Sequence, residues 1–223
     1  MFRNVWDALR KYPLIDESYE IMDRLHDQTR EMFLLSLRSL VDQEVDPEQI
    51  VKMDKEVNRN VQAVRRKVFE YFSMSTVPNI HGGLTLISLV IDYERIGDYA
   101  KDLAYMRKEY GFLDPMTHEM KDALKDMGDI ISLMFVEAKK SLESLEQKYP
   151  TPVTLKERDL KDLYDGLKEK LMKNDLTRRE VLVTMISSRI MKRIAGHLDN
   201  IASSGARPFP KLGFKPGASS WED

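Results

Sequence analysis

Residues 84–106, LTLISLVIDYERIGDYAKDLAYM, form the stretch from which the rest of the chain can be interpreted. Its first half is almost wholly apolar. Its second half adds charged side chains while the apolar residues keep a helical spacing, so we predict a long helix here. On this helix Glu94, Asp98 and Asp102 lie one above another, at i, i+4 and i+8. Like charges at this spacing repel each other by about 0.2–0.5 kcal/mol per pair. The row therefore favours a neighbouring cation, either a basic side chain or a metal ion.

Helical periodicity continues on both sides of this stretch, and no segment shows convincing two-residue alternation. Asp46-Pro47 and Asp114-Pro115 each place an N-cap residue before a proline at the first helical position. Gly111 is suited to ending a helix. We therefore predict an all-α protein whose helices cover approximately residues 16–41, 47–74, 84–110, 115–147, 154–173 and 178–204.

A faint internal repeat divides these helices into two sets of three. At an offset of 102 residues, five residues match their counterparts: Asp27, Met32, Phe33, Ser39 and Leu40 correspond to Asp129, Met134, Phe135, Ser141 and Leu142. Short connections favour antiparallel neighbours. We predict two tandem antiparallel three-helix bundles packed side by side, with a spectrin-repeat-like arrangement, over residues 16–112 and 114–204. An amphipathic segment (1–15) precedes them, and a Gly-, Pro- and Ser-rich tail (205–223), expected to be flexible, follows.

Composition excludes several classes of site. The 223 residues include no cysteine, which leaves only oxygen and histidine ligands for a metal. The formal net charge of −2 gives no argument for nucleic-acid binding. No run approaches the ~20 apolar residues of a membrane span, and the N-terminus lacks the pattern of a secretory signal. We therefore expect a soluble cytoplasmic protein.

The sequence DYERIGDYA, residues 92–100, closely resembles the signature helix of the PhoU family, whose members are regulators associated with phosphate uptake. The repeat of three helices, the acids within the helices and the chain length extend this resemblance over residues 16–204. The resemblance implies a non-enzymatic regulator with partners in a phosphate transport system. These partners are the ATPase of the transporter or a sodium-dependent phosphate carrier, and a sensor kinase. It also implies membrane association only through such a partner, and homo-oligomers are possible.

The resemblance also implies a metal site. Members carry Glu/Asp-x-x-x-Asp pairs on two helices of each bundle, and in some members these pairs hold a multinuclear metal cluster. The matching pairs here are Asp54 with Asn58 and Glu94 with Asp98. Asn58 stands where the family usually has an acid, which removes one negative charge. Oxygen ligands suit Mg, Mn, Ca or iron.

The second repeat departs further from the family pattern. Its corresponding positions are Glu157 with Lys161 and Lys192 with Gly196, so each pair contains a lysine or lacks a carboxylate. We expect at most one metal site, in the first bundle, and a structural role for the second bundle. Gly97, inside the signature helix, costs about 1 kcal/mol relative to alanine and suggests either a close helix approach or access to the site.

Three alternatives remain open. The acids can form interhelical salt bridges with Arg59, Arg65 or Lys101, because i, i+4 charges are common on any helix. The same acids can serve a metalloenzyme such as a phosphohydrolase, although no general acid or base histidine is evident near them. The chain can also be a purely structural helical bundle.

Overall fold

The computed structural model describes residues 13–41, 45–110, 118–143 and 149–214. These residues form six α-helices and one short 3-10 helix, Phe209–Lys211, and they contain no β-strand. The prediction of an all-α protein is confirmed. The helices are α1 (Pro13–Val41), α2 (Pro47–Met74), α3 (Ile80–Tyr110), α4 (His118–Glu143), α5 (Pro152–Lys173) and α6 (Arg178–Ser203). In this described part of the chain, no helix is both long and apolar enough to cross a membrane.

Side-chain caps explain where several helices begin. Asp46 accepts a hydrogen bond from the Glu48 backbone N–H (3.0 Å), and Pro47 occupies the first turn of α2 as predicted. Helix α5 begins two residues before its predicted start, because Thr151 and Thr154 form a reciprocal capping box around it.

Helix α3 begins before the Gly82-Gly83 pair rather than after it. Asn79 Oδ1 accepts a hydrogen bond from the Gly82 backbone N–H (3.0 Å), which satisfies one of the free donors of the first turn. The predicted ends of the helices around residues 111–117 and 144–148 lie outside the described residues, as do residues 1–12 and 215–223.

The six helices pack as two three-helix bundles side by side, as predicted. Helices α1, α2 and α3 pack on one another, and α4, α5 and α6 form the second set. The bundles meet through α3 against α6 and α1 against α4. Across this interface Asp92 meets His197 while Tyr99 meets Arg193, so α3 and α6 run antiparallel.

Helix α3 is the central helix of the first bundle. It packs against α1, α2 and α6, which explains why its first half is apolar on nearly every side. Leu86, Leu89, Val90 and Tyr93 are all almost completely buried. This position holds the charged second half of α3 in a fixed register against α2.

Candidate functional site

The four residues of the predicted metal site are Asp54 and Asn58 on α2 and Glu94 and Asp98 on α3, and we refer to them as the carboxylate patch. The structure connects Asp54 and Asp98 through a lysine. The ammonium of Lys101 lies 2.9 Å from Asp54 Oδ2 and 3.0 Å from Asp98 Oδ1. Asp54 is only 6% exposed, so this contact neutralises a buried carboxylate.

Further polar contacts surround the same two carboxylates. Asn58 Nδ2 donates a hydrogen bond to Asp54 Oδ2 at 3.4 Å. The guanidinium of Arg95 lies 3.5 Å from Glu94 Oε2 and 3.6 Å from Asp98 Oδ2. Lys101 therefore bridges α2 and α3, while the half-exposed Arg95 neutralises acids of its own helix.

The pKa values of Lys101 and Asp102, beside the patch, are shifted by burial and by neighbouring charges. Partial burial acts to lower the pKa of Lys101, but hydrogen bonds to Asp54 and Asp98 outweigh it and hold the pKa above its usual value. Partial desolvation raises the pKa of Asp102, with repulsion from Asp98 in the same direction and attraction to Lys101 opposing it. The predicted row of acids thus has a basic side chain of the same helix as its cation. For Asp54 and Asp98, the structure shows the salt bridge with Lys101 that the sequence left open as one of three alternatives.

The arrangement fits an ammonium ion better than a metal ion. Lys101 occupies the space between Asp54 and Asp98, and Asn58 presents its amide donor to Asp54. Within residues 13–41, 45–110, 118–143 and 149–214, no three His, Asp or Glu side chains are arranged to hold a metal. A metal bound by Asp54, Asn58, Glu94 and Asp98 would have to displace Lys101, so metal binding here stays a prediction.

The corresponding positions of the second repeat carry no such patch. Lys161 Nζ lies 3.8 Å from Asp165 of its own helix, and the ammonium of Lys192 lies 5.0 Å from the centre of the Tyr164 ring. A Cβ at Gly196 would meet nothing within 4 Å. These contacts agree with a second bundle in which the carboxylate pairs have been replaced.

A polar cluster joins the two bundles, and sequence reasoning did not find it. Asp92 Oδ1 lies 2.7 Å from His197 Nδ1 and accepts a hydrogen bond from Asn200 Nδ2 at 3.1 Å. The Tyr99 ring packs on His197, with ring centres 5.7 Å apart, and Tyr99 OH accepts a hydrogen bond from Arg193 Nη1 at 3.2 Å. Asp92 and Tyr99 both belong to the signature helix, so this helix also forms the bundle interface.

Sequence reasoning also left His26 unexplained. The side chain is buried on α1, with its Nδ1 3.2 Å from Tyr93 OH and its ring edge-to-face with Tyr93 and Phe135. Burial lowers the pKa of His26 from 6.5 to about 4. The neutral imidazole is therefore a packing and hydrogen-bonding residue of the core.

The fold and the patch define a class of helical proteins: paired three-helix bundles with acids on a central helix. The PhoU domain matches this chain twice, over residues 22–106 and 124–204. The chain therefore belongs to the PhoU family, and membership supports a regulatory role in phosphate signalling.

A solved structure shows the same fold. The crystal structure of PhoU from Pseudomonas aeruginosa superposes with a TM-score of 0.77 at 16% sequence identity, covering 86% of this chain and 95% of that chain. At this identity the likeness establishes the fold alone. No match was found among curated proteins.

Proposed function

We propose that this protein is a non-enzymatic regulator of phosphate uptake and phosphate signalling that acts by binding other proteins. The observation that carries the proposal is the match of the PhoU domain to both repeats of the chain. The partners are those that the resemblance implies: the ATPase of a phosphate transporter or a sodium-dependent phosphate carrier, and a sensor kinase. Membrane association then arises through the partner.

The chemistry of the patch supports a binding role over catalysis. Asp54 and Asp98 share the Lys101 ammonium, so each carboxylate already has a cationic partner within the protein. The most buried histidine, His26, is engaged with Tyr93 in the core. A phosphohydrolase using these acids would first have to break the ion pairs that hold α2 against α3.

Deletion of the gene, with complementation by the wild-type gene, tests the regulatory role. We expect deletion to change the rate of phosphate uptake, or the expression of genes that respond to phosphate starvation, in cells grown with excess phosphate. Purified protein should also bind the purified transporter ATPase, carrier or kinase domain directly. Unchanged uptake and gene expression, together with no binding to any of the three, would refute the proposal.

A phosphatase assay separates the enzymatic alternative. We expect no hydrolysis of a chromogenic phosphate ester by protein incubated with Mg²⁺, Mn²⁺ or Fe³⁺. Hydrolysis that disappears in Asp98→Asn would establish the patch as an active site and would contradict the non-enzymatic role.

A further inference from the structure

A surface groove with a volume of about 500 Å³ lies along the seam between α4 and α5 in the second bundle. Acidic and apolar residues line it together. We call it the acidic groove and define it by six of its lining residues: Glu119, Asp122 and Asp126 of α4, and Asp162, Leu163 and Gly166 of α5. A Cβ at Gly166 would meet nothing within 4 Å, so an approaching chain meets no obstruction at this point.

Most of the negative charge of the acidic groove is not neutralised within the described part of the protein. Lys170 pairs with Glu119, its ammonium lying 3.1 Å from Glu119 Oε1. Among the described residues, the exposed side chains of Asp122, Asp126 and Asp162 have no salt bridge or hydrogen bond. Acids grouped along one concave surface create a negative potential, which attracts a positively charged partner.

Helices α4 and α5 run antiparallel along the acidic groove. The groove spans residues 119–126 of α4 and 162–170 of α5, and Glu119 at the start of the first segment meets Lys170 at the end of the second. The two segments lie beside each other only when the helices run in opposite directions. Residues further along α4 therefore lie beside residues earlier in α5.

Exposed leucines continue the surface beyond the acids. Leu133 lies seven residues after Asp126, and Leu155 lies seven residues before Asp162. A spacing of seven residues returns to within about 20° of the same helix face, so both leucines are on the groove side of their helices. They are fourteen and fifteen residues from the ion pair at the end of the groove, so the antiparallel register places them at the same level. Leu133 is 52% exposed, Leu155 is 49% exposed, and Leu163 within the groove is 39% exposed.

The acidic groove favours a partner that satisfies its own backbone. Both walls are α-helices, whose backbone groups are bonded within each helix, so they offer no edge to an extended peptide. An α-helix brings its own backbone hydrogen bonds and presents side chains to a groove at i, i+3, i+4 and i+7. From Glu119 to Leu133 the surface extends about 21 Å, the length of a helix of about fourteen residues.

We propose that the acidic groove and the adjoining leucines dock a basic amphipathic helix of a partner protein. The lysine or arginine side chains of this helix pair with Asp122, Asp126 and Asp162, and its apolar side chains pack on Leu133 and Leu155. The surface belongs to the second bundle and is separate from the carboxylate patch. Binding at this surface does not depend on the regulatory role in phosphate signalling.

Binding of a designed peptide to the full-length protein tests the proposal. The probe is a fluorescein-labelled peptide of about fourteen residues, with leucines on one helical face and lysines on both sides of that face. We expect fluorescence anisotropy to show saturable binding, and circular dichroism to show that the peptide gains helix when bound. A matched peptide with glutamates in place of the lysines should bind at least about tenfold more weakly, because it meets carboxylates of like charge.

Two triple variants of equal net charge locate the binding surface. The groove variant combines Asp122→Asn, Asp126→Asn and Asp162→Asn. The control variant changes three exposed acids of α1 and α2: Glu20→Gln, Glu31→Gln and Glu56→Gln. The groove variant should bind the lysine peptide about tenfold more weakly, because three ion pairs are lost together, while the control variant should bind it like the wild type. All these acids are exposed, so folding should persist, and far-UV circular dichroism checks this.

A variant with Leu133→Ser and Leu155→Ser tests the apolar part of the surface and should weaken binding severalfold. Four outcomes would each overturn the proposal: no saturable binding to the wild type, equal binding by the groove and control variants, full binding by the leucine variant, or binding without a gain of helix. None of them bears on phosphate uptake in the deletion strain, so this proposal and the regulatory role can fail separately.

Discussion

Lys101, which joins Asp54 to Asp98 of the carboxylate patch, is the single side chain whose removal should affect this site most. Its ammonium binds Asp54 of α2 and Asp98 of α3 at hydrogen-bonding distance, and Asp54 is buried. Removing one partner of such a contact leaves a carboxylate with its desolvation cost and no cation, which is more damaging than the loss of an exposed salt bridge. The same geometry sets Lys101 in direct competition with any metal ion.

Lys101→Met should therefore lower the stability of the protein and increase its response to metal ions. We expect a loss of about 1–3 kcal/mol in the free energy of unfolding, because buried Asp54 loses its charged partner. Millimolar Mn²⁺ or Ca²⁺ should then raise the melting temperature of the variant more than that of the wild type, since a cation that binds only the folded state stabilises it. Thermal unfolding with and without metal measures both effects.

The control is Lys101→Met combined with Asp98→Ala, which removes a ligand and should abolish the metal response. An equal metal response in the wild type and in Lys101→Met would show that Lys101 is not the competing cation.

His26 makes stability depend on pH. Its pKa is about 4 in the folded protein and 6.5 when exposed, so the unfolded chain takes up the proton first as the pH falls. The stabilisation is fully present above about pH 6.5 and is lost progressively towards pH 4. A shift of this size corresponds to about 3 kcal/mol. Urea unfolding across this pH range should show a steeper fall for the wild type than for His26→Gln.

His118→Gln provides the comparison, because His118 is exposed at the start of α4. It should keep the wild-type slope. If the slope of His26→Gln matched that of the wild type, the buried imidazole would not be the source of the pH dependence.

Among the helices, α3 combines the most roles. It fills the centre of the first bundle and supplies Glu94 and Asp98 to the patch, with Lys101 beside them. It also presents Asp92 and Tyr99 to α6. The sequence prediction that Gly97 marks a close approach is only weakly supported. A Cβ at Gly97 would lie 3.5 Å from Val57 Cγ1 and 3.8 Å from Asp54 Oδ1, which are ordinary contacts.

Gly97→Ala and Gly128→Ala should consequently have opposite effects. Alanine at Gly97 fits its surroundings and should stabilise α3 by up to about 1 kcal/mol, because glycine is the poorer helix former. Alanine at Gly128, where α4 meets α1, would overlap Leu37 Cδ2 and should destabilise the protein despite the same gain in helix propensity. Urea unfolding of the two variants measures the difference, and a loss of stability in Gly97→Ala would show that this glycine is required.

At the level of the complete chain, the two bundles share one interface and should unfold together. Phe135 of α4 packs on Phe33 and His26 of α1, with ring centres 6.0 and 5.6 Å apart. Asp92 of α3 binds His197 and Asn200 of α6. Apolar packing and a polar cluster thus connect the bundles through both pairs of facing helices.

A double-mutant cycle on Asp92→Ala and His197→Ala tests this connection. Each single change should destabilise the protein by about 1–3 kcal/mol, because it leaves a poorly hydrated polar group without its partner. The double variant should lose less stability than the sum of the two single losses, by at least about 0.5 kcal/mol. The reason is that the second change acts on a contact that the first has already broken. Strict additivity would mean that the contact contributes nothing to holding the bundles together.

Much of the architecture was predictable because it depends on local patterns. Helical periodicity, the Asp46-Pro47 start and the repeat at an offset of 102 residues predicted six helices in two sets of three. The common helix face of Glu94 and Asp98 was also predictable, because it follows from their spacing of four residues whatever surrounds them. Lys101 was one of three basic residues that could have paired with the acids, and spacing alone did not select among them.

The amino-acid sequence was thus sufficient for the helices, their grouping into repeats and the acids of the signature helix, because each of these depends on residues close together in the chain. The bridge from Lys101 to Asp54, the cluster of Asp92 with His197 and the burial of His26 against Tyr93 depended on the packed structure. They join residues 47, 105 and 67 positions apart. Whether such residues meet depends on the relative register and direction of the helices that carry them. The register and direction are in turn determined by how side chains along the full length of each helix are buried against its neighbours.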